Sequence, residues 1–297
     1  MSAPAVTTLP DDAVRVVSSP GYWHGVRKRL LRDRTTLVCA AMLLLILLVI
    51  VLAPIISPHE PYQGSMLRRL KPIGFPGYPL GTDELGRDIL TRLMYGGRVS
   101  WFLGITPVVI AFVVGGVLGV IAGYAGGGLN MLIMRGTDVF YAFPSVLLAV
   151  AISGALGAGV FNAILSLTLV FIPPIIRISE SVTTSVRTLD YVESARASGA
   201  RATTIVRVHV LPNVLGPIFV YATGLISVSM ILASGLSFLG LGVRPPEAEW
   251  GLMLNSLRTA IYTQPVISVL PGICIFVTSI CFNLVSDGLR AAMDVRA

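Results

Sequence analysis

Five stretches of this chain contain no Asp, Glu, Lys, Arg or His: residues 35–58, 99–134, 139–176, 210–243 and 259–286. About 20 apolar residues suffice for a helix to cross a bilayer, and such runs are rare in water-soluble domains. The third run is interrupted by Gly154, Gly157, Gly159 and Asn162. Glycine in series breaks helices, so this run reads as a hairpin of two short spans. The count becomes six. Composition agrees: 54% of residues are hydrophobic, 12% are charged, and the mean hydropathy is +0.82. The reading is an all-α integral membrane protein of six transmembrane helices.

The net charge is +7, from 22 basic and 15 acidic residues. The basic residues gather at the ends of apolar runs, as membrane topology requires. They are not interleaved with aromatics as single-stranded nucleic-acid binding would demand, so no nucleic-acid partner is expected. Six spans place both termini on one side. With the amino terminus cytoplasmic, 14 of the 22 Lys and Arg residues fall inside and 8 outside. That bias supports cytoplasmic N and C termini. Residues 1–34 read as a flexible cytoplasmic tail ending in a basic anchor (Arg27, Lys28, Arg29, Arg32, Arg34), with residues 35–58 as the first transmembrane helix. Residues 59–98 read as an extracytoplasmic loop carrying an amphipathic helix. Residues 99–286 form a core of five spans with a cytoplasmic loop at 181–213, and 287–297 form a cytoplasmic tail.

Elimination narrows the function. A phosphate loop needs Lys followed by Ser or Thr after a run of glycines. The two lysines, Lys28 and Lys71, precede Arg and Pro. The chain has no ATP site of its own. An ion-coupled carrier usually holds ionisable groups in mid-membrane, and these spans hold none. The three histidines show no metal-ligand spacing. Cys39, Cys274 and Cys281 lie in apolar runs, and a spacing of seven puts the last two about 10 Å apart on a helix, beyond disulfide reach. Catalytic and metal sites are therefore not expected. Ser237, between glycines in "GLSFLG", has no membrane His or Asp pair to activate it.

The polar exception is "YVESARASGARATTIVRVHVLPN" at 191–213. Asp190 and Glu193 have the spacing of a capping box. Val192, Ala195, Gly199, Ala202 and Val206 recur at helical spacing as a stripe of small side chains that a partner could approach. Gly199 can turn the chain between two short helices because it tolerates positive φ. Pro212 and Pro217 mark the return to a membrane helix. On physical grounds a solvated loop helix and a docking surface are equally good readings.

Glu193-Ser194-Ala195, then Gly199, then His209-Val210-Leu211-Pro212 resembles the "EAA" loop of permease subunits of ATP-binding-cassette importers. That pattern is Glu-Ala-Ala, three residues, Gly, nine residues, Ile-x-Leu-Pro. Ser194 replaces Ala, and His209 replaces Ile as in the peptide-importer branch. "GTDELGRDILTR" (81–92) resembles the "GTDxxGRDxxSR" signature of C-type permeases of dipeptide, oligopeptide and nickel importers, with Thr91 at the Ser position. Residues 123–150, 237–254 and 287–296 carry further strings of that branch. The resemblance implies a type I (MetI-like) importer permease fold in a bacterial inner membrane. It implies a coupling helix resting in a groove on an ATP-hydrolysing subunit. Glu193 and Gly199 would be the coupling positions, Ser194, Ala195, Ser198 and Ala200 their neighbours, and Asp190, His209, Leu211 and Pro212 the ends of the loop. The implied partners are a homologous B-type permease, one or two ATP-binding subunits and an extracytoplasmic substrate-binding protein. ATP and Mg would be bound by those partners. Di- or oligopeptides are the implied cargo, with a nickel chelate, glutathione or another small solute as alternatives; an ion-coupled carrier acting alone is the alternative from another class. In the fifth span Tyr221, Ser227, Ser229 and Ser234 could face a polar pathway, although small residues also serve close helix packing.

In 78–100, Thr82 can cap a short helix with Leu85, Ile89 and Leu93 on one face. Asp83–Arg87 and Asp88–Arg92 stand at ion-pair spacing. The expectation is a solvated amphipathic helix at the outer surface.

Overall fold

The computed structural model describes residues 22–293, and the described residues contain no strand longer than an isolated bridge. In chain order the helices are α1 (Tyr22–Leu30), α2 (Arg34–Ile56), α3 (Ile89–Ala125), α4 (Gly127–Tyr141), α5 (Ser145–Leu156) and α6 (Val160–Arg187). They continue with α7 (Asp190–Ala197), α8 (Ala202–Ile205), α9 (Leu211–Phe238), α10 (Trp250–Ser256) and α11 (Pro265–Met293). Five helical stretches are long and apolar enough to cross a membrane. The pair α4–α5, bent by 85° at residues 142–144, makes a sixth if taken as one span. The end of the first tail, expected to be flexible, is helical over α1; residues 1–21 and 294–297 lie outside the described residues.

The hairpin expected at Gly154–Asn162 forms at residues 157–159, between α5 and α6. Gly157 and Gly159 both have positive φ, and the Asn162 amide donates to the Leu156 and Gly157 carbonyls at 2.9 and 3.0 Å. The elbow before α5 follows from Pro144, which cannot continue the helix of the residues before it.

α3 and α6 lie in the closest contact of the bundle. Gly115, Gly119 and Gly123 form one stripe at i, i+4, i+8. A Cβ on them would come 2.9, 2.5 and 2.7 Å from the carbonyl oxygens of Ile172, Ile176 and Glu180. With lipid as solvent, helices gain little from hydrophobicity and associate through such backbone approach. Leu103, Val108 and Ala111 of α3 continue the buried seam against Leu167, Phe171 and Ile175 of α6 and Ile218 of α9. A second cluster joins α2 to α11 through Cys39, Leu43 and Cys281, all buried.

The segment before α3 departs from expectation. Thr82 caps no helix. Its side chain bonds to the Arg68 carbonyl and accepts from the Lys71 amide at 2.9 Å. The cap is Asp88, which accepts from the Thr91 amide at 3.1 Å, and the helix it starts runs unbroken into the second span. Asp83–Arg87 pair at 2.7 Å as expected, but Asp88 does not pair with Arg92. Arg92 Nε lies 3.5 Å from Asp83, and its other nitrogens donate to the carbonyls of Pro61, Pro246 and Glu247. Nor is the group solvated: Asp83 is 2% and Arg92 3% exposed. The loops at 57–63 and 244–249 close over it, and carbonyls replace water around the second guanidinium.

Candidate functional site: the α7–α8 platform and the α9–α11 groove

The polar segment forms a platform at one end of the bundle. α6 ends at Arg187. Thr188 and Leu189 leave the helical conformation, and Leu189 is the N-terminal cap residue of α7 in extended geometry. The capping box is therefore absent. Asp190 is already the first helical residue, one position too late to receive the amides of the first turn. Asp190 and Glu193 still lie in that turn, where negative charge opposes the helix dipole.

Gly199 ends α7. At φ +81° its amide donates to the Arg196 carbonyl at 3.0 Å, and the Ala200 amide reaches back to Ala195 at 3.2 Å. This pair of bonds is the Schellman closure, which places glycine in the left-handed conformation just past a helix end. α8 follows two residues later, so the turn between two short helices stands where the sequence puts it.

The small stripe is split: Val192, Ala195 and Val206 turn inward, while Gly199 and Ala202 are exposed. Val192 is 0% exposed, and Ala195 and Ala200 pack with it on Ile205, Val210 and Val214 of the chain's own core. Those side chains are the feet of the platform. The face left open carries Glu193, Ser194, Arg196, Ala197, Ser198 and Gly199. A Cβ on Gly199 would meet nothing within 4 Å. Asp190 is exposed at the platform edge.

α8 joins α9 through a π-helical turn, Val206–Val210. Pro212 has no N–H to give Val208 and would press its ring on that carbonyl. Widening the turn removes the clash. The membrane helix thus does not restart at Pro212; it continues from α8, with Leu211 and Pro212 in its first turn and Pro217 inside. His209 sits in the π turn, its carbonyl accepting from Asn213 Nδ2 at 2.7 Å. The same nitrogen lies 3.2 Å from the Tyr191 hydroxyl. Tyr191 and Asn213 thereby tie α7 to the base of α9. Sequence reading passed over both, because their link depends on how α7 folds back. Arg187, just before α7, donates to the Tyr124 carbonyl at the end of α3.

Along α9 and α11 runs a groove of about 590 Å³ lined by Ser227, Ile231, Ser234, Phe238, Phe276 and Asn283, among others. Ser227 and Ser234 therefore share one wall. Tyr221 lines a neighbouring recess of about 230 Å³ nearer the platform, with Asn283, Asp287 and Arg290. Ser229 is turned away: it is buried against α3, its hydroxyl 3.5 Å from the Leu103 carbonyl.

A bundle of membrane-crossing helices, open along a groove and carrying an anchored platform at one end, is the architecture of a transport permease subunit. The chain belongs to the family of binding-protein-dependent transport system inner membrane components, matched over residues 115–297, and residues 21–72 match the N-terminal transmembrane domain of oligopeptide transport permease C. A glutathione transport system permease protein of Pectobacterium atrosepticum is 36% identical over 97% of this chain and 95% of its own length. A di/tripeptide transport system permease protein of Pseudomonas aeruginosa is 39% identical over 82% of each chain. Among solved structures, a chain of the MetNI methionine transporter superposes with a TM-score of 0.56 at 19% identity, covering 68% of this chain and 96% of that one. The fold is that of type I importer permeases, and the protein is a multi-pass membrane permease of the C type.

Proposed function

We propose that this chain is one half of the transmembrane pathway of an ATP-driven importer of di- and oligopeptides. A homologous B-type permease supplies the other half. An extracytoplasmic binding protein delivers the cargo. One or two ATP-binding subunits hold ATP and Mg and dock on the platform from the cytoplasmic side, where both termini of this chain also lie. Relatives named for di/tripeptide and dipeptide transport support a peptide cargo. The glutathione relative spans nearly the whole chain, so glutathione stands as the second reading.

The observation that carries the proposal is the construction of the platform. Its apolar feet are buried in the permease while Glu193, Ser194, Ser198 and Gly199 face outward with little side-chain bulk. A push on that face passes to α6 and α9, which flank it in the chain. Ser227 and Ser234 are themselves buried in the groove wall, Ser227 donating to the Gly224 carbonyl, and the mainly apolar groove carries no charged residue, which suits peptides of many sequences. The test is cross-linking. With Ser198→Cys in the assembled complex, a short bifunctional thiol reagent should join this chain to a cysteine placed in the ATP-binding subunit. Joining to the binding protein instead would reverse the orientation, and joining to neither would end the docking assignment.

A further inference from the structure

Glu249 is 0% exposed, and neither platform nor groove wall uses it. It caps α10. Its carboxylate accepts from the amides of Gly251 and Leu252 at 2.9 and 2.8 Å and from the Ser100 hydroxyl of α3 at 2.9 Å. The same hydroxyl accepts from the Trp250 amide at 3.0 Å. The Trp250 indole donates to the Leu93 carbonyl at 2.8 Å, and Arg92 holds the carbonyls of Pro246 and Glu247. Residues 246–252 are thus fastened to the first three turns of α3. A buried carboxylate is costly unless its lone pairs are satisfied, and here they are satisfied by both bodies at once. At its other end α10 is bound to α9, the Asn255 amide donating to the Phe238 carbonyl. Leu254, between these two attachments, lines the end of the α9–α11 groove remote from α7.

We propose that Glu249 is a positioning residue of the transport pathway: it clamps α10 to α3 and thereby sets Leu254 as the wall at the far end of the groove. The inference rests on the reading of that groove as the pathway. The clamp also has a route to the platform. α3 is locked to α6 by the Gly115–Gly119–Gly123 seam, and its inner end receives Arg187 beside α7. Displacement of the platform therefore carries α10 with it, so that the far wall and the coupling face move as parts of one body.

The assembled complex in proteoliposomes tests this by thiol accessibility. Leu254→Cys and, separately, Tyr221→Cys are labelled with a membrane-impermeant maleimide, with the native cysteines as background. In the intact clamp Leu254→Cys reacts slowly. Adding Glu249→Ala should raise its rate by about tenfold, the effect of one or two lost hydrogen bonds on a local opening equilibrium, and leave Tyr221→Cys unchanged. Ser100→Ala, which removes only the α3 side, should move Leu254→Cys in the same direction, and it decides the matter if Glu249→Ala fails to assemble. Unchanged labelling of Leu254→Cys overturns the clamp. An equal rise at both reporters also overturns it, because it marks general loosening. A rise at Leu254→Cys alone with undiminished peptide uptake sustains the clamp and contradicts the groove as pathway.

Discussion

The amide of Ala200 lies 3.2 Å from the carbonyl of Ala195, closing α7 around Gly199. Gly199 has φ +81° and open space where a Cβ would stand. Substitution there is paid in backbone conformation and in what the new side chain does to a partner. Gly199→Ala should cost about 1 kcal/mol of stability and keep most uptake. Gly199→Trp should cost about the same, leave the protein folded in the membrane, and abolish uptake while loosening the ATP-binding subunit. Uptake, thermal melting and co-purification measured together separate these outcomes. Unimpaired transport in Gly199→Trp would show that this face docks nothing.

The α3–α6 seam gives a paired prediction. Gly119→Val drives a side chain onto the Ile176 carbonyl, 2.5 Å from the first carbon alone, and should cost about 1–3 kcal/mol. Gly116→Val, three residues earlier on a face where a Cβ meets nothing, should be close to neutral. Melting temperatures of the two variants in detergent provide the check.

Asp83 is the carboxylate between two buried guanidiniums. Asp83→Ala strands Arg87 and Arg92 and should destabilise by about 3–5 kcal/mol, as loss of one partner in a buried pair does. Asp83→Asn, which keeps the acceptor oxygen, should cost less. Yield and melting temperature read both.

Glu249 predicts a pH dependence. Burial lifts its carboxyl above the ordinary value of 4.5, and the amides of Gly251 and Leu252 with the hydroxyls of Ser100 and Ser237 only partly oppose that. Above pH 4.5 the folded chain retains a proton that the unfolded chain has released. Stability from this group is therefore greatest at acid pH and declines as pH rises through the window above 4.5. The melting temperature of the native protein minus that of Glu249→Gln should fall across that window. A difference that is flat, or rises, contradicts the assignment.

What could be read in the sequence was local. The apolar runs marked the spans. The glycines near 157 marked the hairpin, and Gly199 marked the turn, because each acts through its own backbone. What was hidden depended on distant chain. Asp83, Arg87 and Arg92 look like a solvated surface set until loops from 57–63 and 244–249 cover them. Asp190 has cap spacing, yet the exit from α6 shifts the helix start by one residue. The stripe Val192, Ala195, Gly199, Ala202 and Val206 has helical period, but period does not say which members meet the chain's own core; Ile205 and Val210 take up Val192 and Ala195 and leave Gly199 and Ala202 open. Glu249 gave no signal, since its partner Ser100 lies 149 residues away.

The most direct measurement is peptide uptake by proteoliposomes of defined composition. The assembled complex, with both permeases, the ATP-binding subunits and the binding protein, should accumulate a labelled di- or tripeptide only when ATP is supplied, and the Gly199→Trp complex should not. If this chain reconstituted alone accumulates the peptide without any ATP-binding subunit, the account of a permease driven through the Glu193–Gly199 platform is contradicted.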